Sequence, residues 1–463
     1  MAFTLRRRKR NPDSYFAGLP RLKKLFWLYF FLLIFEGALR KWIVPQLSAP
    51  LLVIRDPVSI WIIWEAYRTR KWPSRWSVQI ILLTLLLMVI FSLQMATGVN
   101  EFLVGLYGLR SYLLPFPVIF IMGENIDRED LRRFGACTLW ILLPMSLIAL
   151  GQYYSPGGSF LNRGAYHGGA QIGYVLGRVR ASGTFSFAVG LVEYAALAAA
   201  FIFDGMIRED FVKQWLIWAS VASLILIIPT TGQRSLVVQL AAIVICVAAS
   251  ALMGVSQFTK VLRVAVPLMV IMLLVSLLPA FTQSMRSLNE RFAQSSVDEG
   301  GSFQAAFILR TVDPAIEAVE AASTTQNWLG IGIGRGALAV QAFLTGAPAA
   351  VTGEYEFSHE FMEMGPFAGG LFELFKIFLA IAIFGQALAR AREREPLALL
   401  LFPVVLTTLV YGLLEEPTMQ GFVVISMAFC IAAAKPRLKM AVKPHPLVLQ
   451  RQRVLAQRQA QRG

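Results

Sequence analysis

The sequence predicts an all-α protein, a polytopic transmembrane helical bundle of about twelve spans. Three observations carry that prediction. Of the 463 residues, 56% are hydrophobic and only 15% are charged, with a mean hydropathy of +0.60. A soluble domain carries nearer a quarter charged residues, so the surplus apolar surface needs a bilayer as its solvent. Apolar runs of roughly 20 residues, the length that crosses a hydrocarbon core, recur along the chain. Finally, Lys and Arg concentrate in alternate connections between those runs.

The basic segment 1–23 reads as a cytoplasmic N-tail. Arg6 to Arg10 before the apolar run from Leu25 imitates a signal peptide, but no small-residue cleavage site follows, and the run leads into Glu36, Arg40, Lys41 and Trp42. It is therefore read as a retained first span. A single transmembrane domain covers 24–434, with spans expected at 24–40, 51–67, 78–96, 102–122, 135–153, 184–204, 214–229, 236–254, 262–280, 366–389, 397–413 and 419–434. Two outer loops are long, 152–184 and 281–366, and long loops in a compact membrane domain usually carry function. Within the second, Phe303 to Ala322 places Arg310, Asp313, Glu317 and Glu320 on the polar positions of an apolar helix, so this loop is expected to be partly helical, lying at the interface or over a cavity. The segment 435–463 is a second basic cytoplasmic tail, suited to anionic lipid or to disorder.

Charge tests the topology independently. With the N-terminus inside, inner segments hold 30 of the 43 Lys and Arg residues, outer segments hold ten, and Arg55, Arg110 and Lys376 fall within spans. That three-to-one bias sets both termini in the cytoplasm. It also accounts for the net charge of +15 without a nucleic-acid partner; membrane lipids are the partners it implies. Trp27, Trp42, Trp61, Trp72 and Trp76 stand near span ends, as interfacial aromatics do.

Several chemistries are disfavoured. There is no Walker loop for ATP and no Asp-x-Asp pair near a loop for a nucleotide sugar's metal. His167, His359 and His445 are scattered, so no metal site is expected. Cys137, Cys246 and Cys430 each lie inside an apolar stretch, as small core residues do. The run Gly330-Ile-Gly-Ile-Gly-Arg-Gly336 has no βαβ context and reads as a tight turn, not a dinucleotide site.

What remains is a set of outer arginines that run against the charge bias. Arg178 and Arg180 precede span six, Arg234 lies between spans seven and eight, and Arg310 sits on the large loop's apolar helix. An arginine at a span end ordinarily snorkels to headgroups, and a lone histidine such as His359, before span ten, is ordinarily packed or solvated. Together they suggest more. Guanidinium binds phosphate oxygens bidentately and keeps its charge, so several around one outer cavity suit a diphosphate at the membrane surface.

The elements Arg180-Ala-Ser-Gly-Thr-Phe-Ser186, Thr231-Gly-Gln-Arg-Ser235, Leu309-Arg310, Asn327-Trp-Leu-Gly-Ile-Gly-Ile-Gly334 and Ser358-His359 occur in this order on the outside, over roughly residues 170–390. In this the chain resembles the O-antigen ligase and polysaccharide polymerase superfamily of bacterial inner-membrane proteins. The resemblance implies a fold similar to other lipid-phosphosugar glycosyltransferases, and a metal-independent enzyme without cofactor. Its implied donor is an undecaprenyl-diphosphate-linked glycan at the periplasmic face. Its acceptor is a glycan or lipid-glycan, and other polysaccharide-assembly proteins are further partners. Arg234, with Arg180, Arg178 and Arg310, would bind the diphosphate, and His359 would accept the proton of the attacking hydroxyl. The family often follows its histidine with Asn, whereas Glu360 follows here and Glu363 lies one turn later. A neighbouring carboxylate can orient a histidine or replace it as the base, so Glu360 joins His359 as a catalytic candidate.

Three further expectations concern charges in the spans. Arg55 and Asp56 are expected to form a structural ion cluster with Glu36 and Arg40. Glu373 and Lys376 are expected to neutralise each other. Arg110 and Glu193 are expected either to line a lipid or sugar groove or to pair with each other across helices.

Overall fold

The computed structural model describes residues 18–165, 174–175, 178–208, 211–253, 327–337 and 356–436, with Ile316 and Glu320. Its helices are α1 (Arg21–Ala38), α2 (Arg55–Arg68), α3 (Ser77–Ala96), α4 (Phe102–Leu113), α5 (Pro115–Asn125) and α6 (Arg128–Tyr154). They continue with α7 (Ala188–Ile207), α8 (Gln214–Thr231), α9 (Arg234–Leu252), α10 (Glu356–Arg392), α11 (Leu397–Val410) and α12 (Pro417–Ala434). A short antiparallel pair, β1 (Tyr174–Val175) and β2 (Arg178–Val179), lies before α7.

Eight described helical segments are long and apolar enough to cross a membrane, fewer than the spans expected. The physical reasons differ. The α1 segment carries Arg21, Lys23, Lys24 and Glu36 in 18 residues, while α2 and α11 have only 14 each. The expected span 262–280 lies outside the described residues, as do the tails 1–17 and 437–463, the interfacial segment 303–322 apart from Ile316 and Glu320, and Arg310. The fourth expected span is two helices, α4 and α5, meeting at Leu114-Pro115, where proline removes an amide from the ladder.

Burial is graded from centre to edge. Every residue of α12 is buried inside the bundle and 17 of the 20 in α7 are, whereas α3 and α9 bury only five residues each. The edge is nevertheless apolar: α3 presents Val78, Ile81, Leu82, Leu85 and Val89 outward. A surface of this kind belongs in hydrocarbon, where helices satisfy their own backbone polar groups. The centre is aromatic. Trp27 of α1 stacks on Phe134 of α6 with centroids 3.9 Å apart, and Phe134 lies 5.1 Å from Phe429 of α12.

Helix ends segregate into two faces. On one, here the terminal face, α1 starts and α12 stops: Lys23 reaches Asp127 at 2.6 Å, and Lys435 donates to the carbonyls of Glu124 and Ile126. On the other, the site face, lie the end of α1, the starts of α2, α7 and α12, and the loop 327–337. Contacts among the described residues tie these ends together, as an up-and-down helical bundle requires.

Candidate functional site

Three arrangements occupy the site face. The first is a turn that carries arginines. Ala181 N donates to Thr230 O at 3.1 Å, joining this turn to the end of α8. Gln152 at the end of α6 accepts from the amides of Ser182 and Gly183 at 3.0 and 2.8 Å and donates to Gly183 O. Gly183 has φ +59°, a conformation that favours glycine. From the turn beyond α1, the fully buried Lys41 donates to Ser182 Oγ at 2.9 Å and Gly183 O at 2.8 Å. Arg40 beside it donates to Ser186 Oγ at 2.9 Å and lies 3.7 Å from Glu36.

This scaffold sets Arg180 beside Arg234. Burial and, next, the neighbouring Arg234 charge lower the Arg180 pKa below that of an ordinary guanidinium. Arg234 is the first residue of α9, and Gly232, with φ +56°, turns the chain sharply between α8 and α9. Two like charges are thus held together at a helix N-terminus, an arrangement suited to an anion. The Arg178 guanidinium lies 5.8 and 5.5 Å from the rings of Tyr153 and Tyr154.

The second arrangement is centred on α10, which breaks at Gly365 (φ +80°) before Pro366. Breaking a helix exposes carbonyls that need donors. The glycine-rich loop supplies them: Ile331 N donates to Met362 O at 2.8 Å and Gly332 N to Glu363 O at 3.1 Å. Gln94 of α3 donates to Glu363 O and Leu329 O and accepts from Ile333 N. Gly332 and Gly334 have φ +120° and +90°, so the turn expected from sequence is present. Its close approach to the helices is the greater constraint, since a side chain on Gly332 would meet Asn100.

The amides of Gly334 and Gly336 then converge on the Glu363 carboxylate, which also accepts from Tyr112 Oη at 3.1 Å. One turn earlier on the same helical face is His359. Its Nδ1 lies 3.9 Å from Glu415 Oε2, on the connection between α11 and α12. Gly336 sits among all three: a Cβ there would be 2.8 Å from His359 Nδ1, 2.8 Å from Glu363 Oε1 and 3.0 Å from Glu415 Oε2. Glu360 faces elsewhere, toward Lys376 at 2.5 Å, and Lys376 is also 2.8 Å from Glu373. The pairing of Glu373 with Lys376 is therefore present, with Glu360 as its third member.

The third arrangement joins the other two. Arg55 pairs with Glu36 at 3.0 Å and donates to Pro417 O, two residues beyond Glu415. Asp56 lies within electrostatic reach of Arg55 and Glu36, so the expected cluster is present, and it makes its ion pair with Arg110 at 2.7 Å. Glu193 is held by Gln239 at 2.7 Å and Thr407 at 3.5 Å, so the pairing of Arg110 with Glu193 is not formed. Among the described residues, no group of three or more His, Cys, Asp or Glu side chains is placed to hold a metal ion.

The sequence reading missed Glu415, Gln152, Lys41 and Gln94. A signal existed for the first: Glu415-Glu416 is an acidic pair in a short connection between two apolar helices. Compared with known proteins, the chain matches no family model, no curated protein and no solved structure.

Proposed function

We propose that the chain is a membrane glycosyltransferase that polymerises or ligates undecaprenyl-diphosphate-linked saccharides at the periplasmic face of a bacterial inner membrane. The observation that carries this reading is the pairing of Arg180 with Arg234 at the α9 N-terminus, on the same face as the buried His359. In the proposed reaction the acceptor hydroxyl oxygen attacks the anomeric carbon of the donor. The bond from that carbon to the diphosphate oxygen breaks, and the lipid diphosphate leaves with the electron pair. The hydroxyl proton passes to His359, imidazole being the side chain most often used as a general base. Arg180 and Arg234 stabilise charge building on the leaving diphosphate, a role a metal plays in many nucleotide-sugar enzymes. Arg178 and Arg310 are assigned to the same diphosphate, and no cofactor is required by this scheme.

A second reading, a flippase or transporter of lipid-linked saccharides, is favoured by one observation. The break in α10 at Gly365 places irregular backbone beside buried charged groups, as discontinuous helices of transporters do. The two readings separate in one experiment. Purified protein and its Arg234→Ala and His359→Ala variants are incubated with lipid-linked oligosaccharide, without added metal or nucleotide. The transferase reading expects elongated or ligated product from the parent protein only. Absence of product with varied acceptors, together with movement of the lipid-linked sugar across vesicles, overturns it in favour of transport.

A further inference from the structure

Glu363 and Glu415 are both close to His359, yet they differ in what holds them. Glu363 accepts from two loop amides and Tyr112, and its carboxyl is also within hydrogen-bond reach of the Glu415 carboxyl. Glu415 comes from a different part of the chain, is almost fully buried, and directs Oε2 at His359 Nδ1 and toward the Gly336 backbone. Glu360, the acid adjacent in sequence, is engaged by Lys376 on another side of α10.

We infer that Glu415 is the positioning residue of His359, holding the imidazole with Nδ1–H toward the carboxylate so that Nε2 presents its lone pair to the acceptor hydroxyl. This rests on the transferase reading above for its consequence, but not for its geometry. A neutral imidazole has one protonated nitrogen, and the partner of Nδ1 decides which. A carboxylate accepts, so it selects the Nδ1–H form and leaves Nε2 as the base. When Nε2 takes the hydroxyl proton, Glu415 stabilises the imidazolium and is not itself protonated. The 3.9 Å separation is within ion-pair range, and positioning by Glu415 requires it to shorten to a hydrogen bond in the substrate complex. Facing the pair are Glu363 on α10 and, behind it, Tyr112 on α4. Most of the acceptor capacity of Glu363 is taken by Gly334, Gly336 and Tyr112, so its part is to fix Gly336 against the pair.

The test uses full-length protein in nanodiscs. The chain has three histidines, so ¹⁵N-labelled His359 is assigned by comparison with a His359→Gln variant. At a pH where the ring is neutral, the parent protein is expected to show the Nδ1–H tautomer. The Glu415→Gln variant, whose amide can donate to Nδ1, is expected to lose that preference, and Glu415→Asp to retain it. Transfer kinetics with lipid-linked oligosaccharide should show Glu415→Gln losing on the order of 100-fold in kcat with donor KM nearly unchanged. Recovery in Glu415→Asp is expected. An unchanged tautomer in Glu415→Gln overturns the inference, even where activity falls. A switched tautomer in a protein that transfers no glycan in any form supports the pair and sinks the transferase reading instead.

Discussion

The two faces of the bundle handle charge in opposite ways. On the terminal face, each group of paired charges has one member open to solvent: Asp127 beside Lys23 and Asp130, Arg128 beside Arg208 and Glu395, Glu393 beside Arg390. On the site face, Arg40, Lys41, Arg55, Glu36, Glu363 and Glu415 are all nearly or fully buried. They are held by backbone amides and carbonyls as much as by counter-charges. Pairs at an aqueous boundary set orientation and contribute little stability. Buried groups cost desolvation energy, and a chain keeps them where they have another use. On the proposed reading, one face anchors the bundle and the other carries the chemistry.

The strongest test of that division removes one site-face group at a time and measures glycan transfer beside folding. His359→Ala is expected to lose about 1,000-fold in kcat, the ordinary reach of a positioned base. Arg234→Ala is expected to lose on the order of 100-fold or more through lost stabilisation of the leaving diphosphate. Both should leave the thermal midpoint close to that of the parent protein, because neither fills the aromatic core. A loss of transfer that tracks a collapse of the folded state would erase the distinction between the faces.

Next in size is Gly336→Ala. The added methyl would stand within 3.0 Å of His359 Nδ1, Glu363 Oε1 and Glu415 Oε2, so at least one of them must move. No titratable group is removed. A displacement of this kind is expected to cost on the order of 100-fold or less in kcat, with a smaller effect on KM. Wild-type turnover in Gly336→Ala would show that the loop carries no influence over the site.

A smaller effect is expected from Lys41. Burial lowers its pKa from an ordinary 10.5 to about 7. Between those two values the unfolded chain binds the proton and the folded chain does not, so this group makes stability rise with pH. Its opposition to folding is greatest below about pH 7 and fades toward pH 10.5. Lys41→Met removes that contribution, along with the donors to Ser182 and Gly183. Thermal unfolding across pH 6 to 10, compared between the two proteins, should show a shallower rise for Lys41→Met. Parallel curves would mean that Lys41 keeps its charge in the folded protein.

How much of this was legible in sequence depends on the range of the interaction. Helices formed where apolar runs met local stop signals: α6 starts at Asp127 with a capping box to Asp130, and α8 ends at Gly232. The sequence placed the start of a span at Pro366. The chain instead resumes helix on both sides of it, since the glycine loop supplies donors to the freed carbonyls. Arg180 and Arg234 could be grouped in advance because both oppose the charge bias. The partner of His359 could not, because Glu415 is distant in the chain and proximity in sequence favoured Glu360 and Glu363. Likewise, the glycine run announces a turn, but nothing local shows that its amides serve Glu363.

The smallest expected effect tests the terminal face. Lys23 lies within ion-pair reach of both Asp127 and Asp130, which also bond each other's backbone amides to cap α6. Removing the lysine leaves that cap intact, and Asp127 remains open to water, its side chain 58% exposed. Lys23→Met should therefore cost less than about 1 kcal/mol and fade further in high salt. Transfer activity should be unchanged, since Lys23 has no contact with the site face. A variant that folds normally but transfers poorly would show that the two faces are coupled through α1, whose far end carries Glu36 and leads into Arg40 and Lys41. In that case the terminal pairs would set the position of the arginine turn across the whole length of the helix.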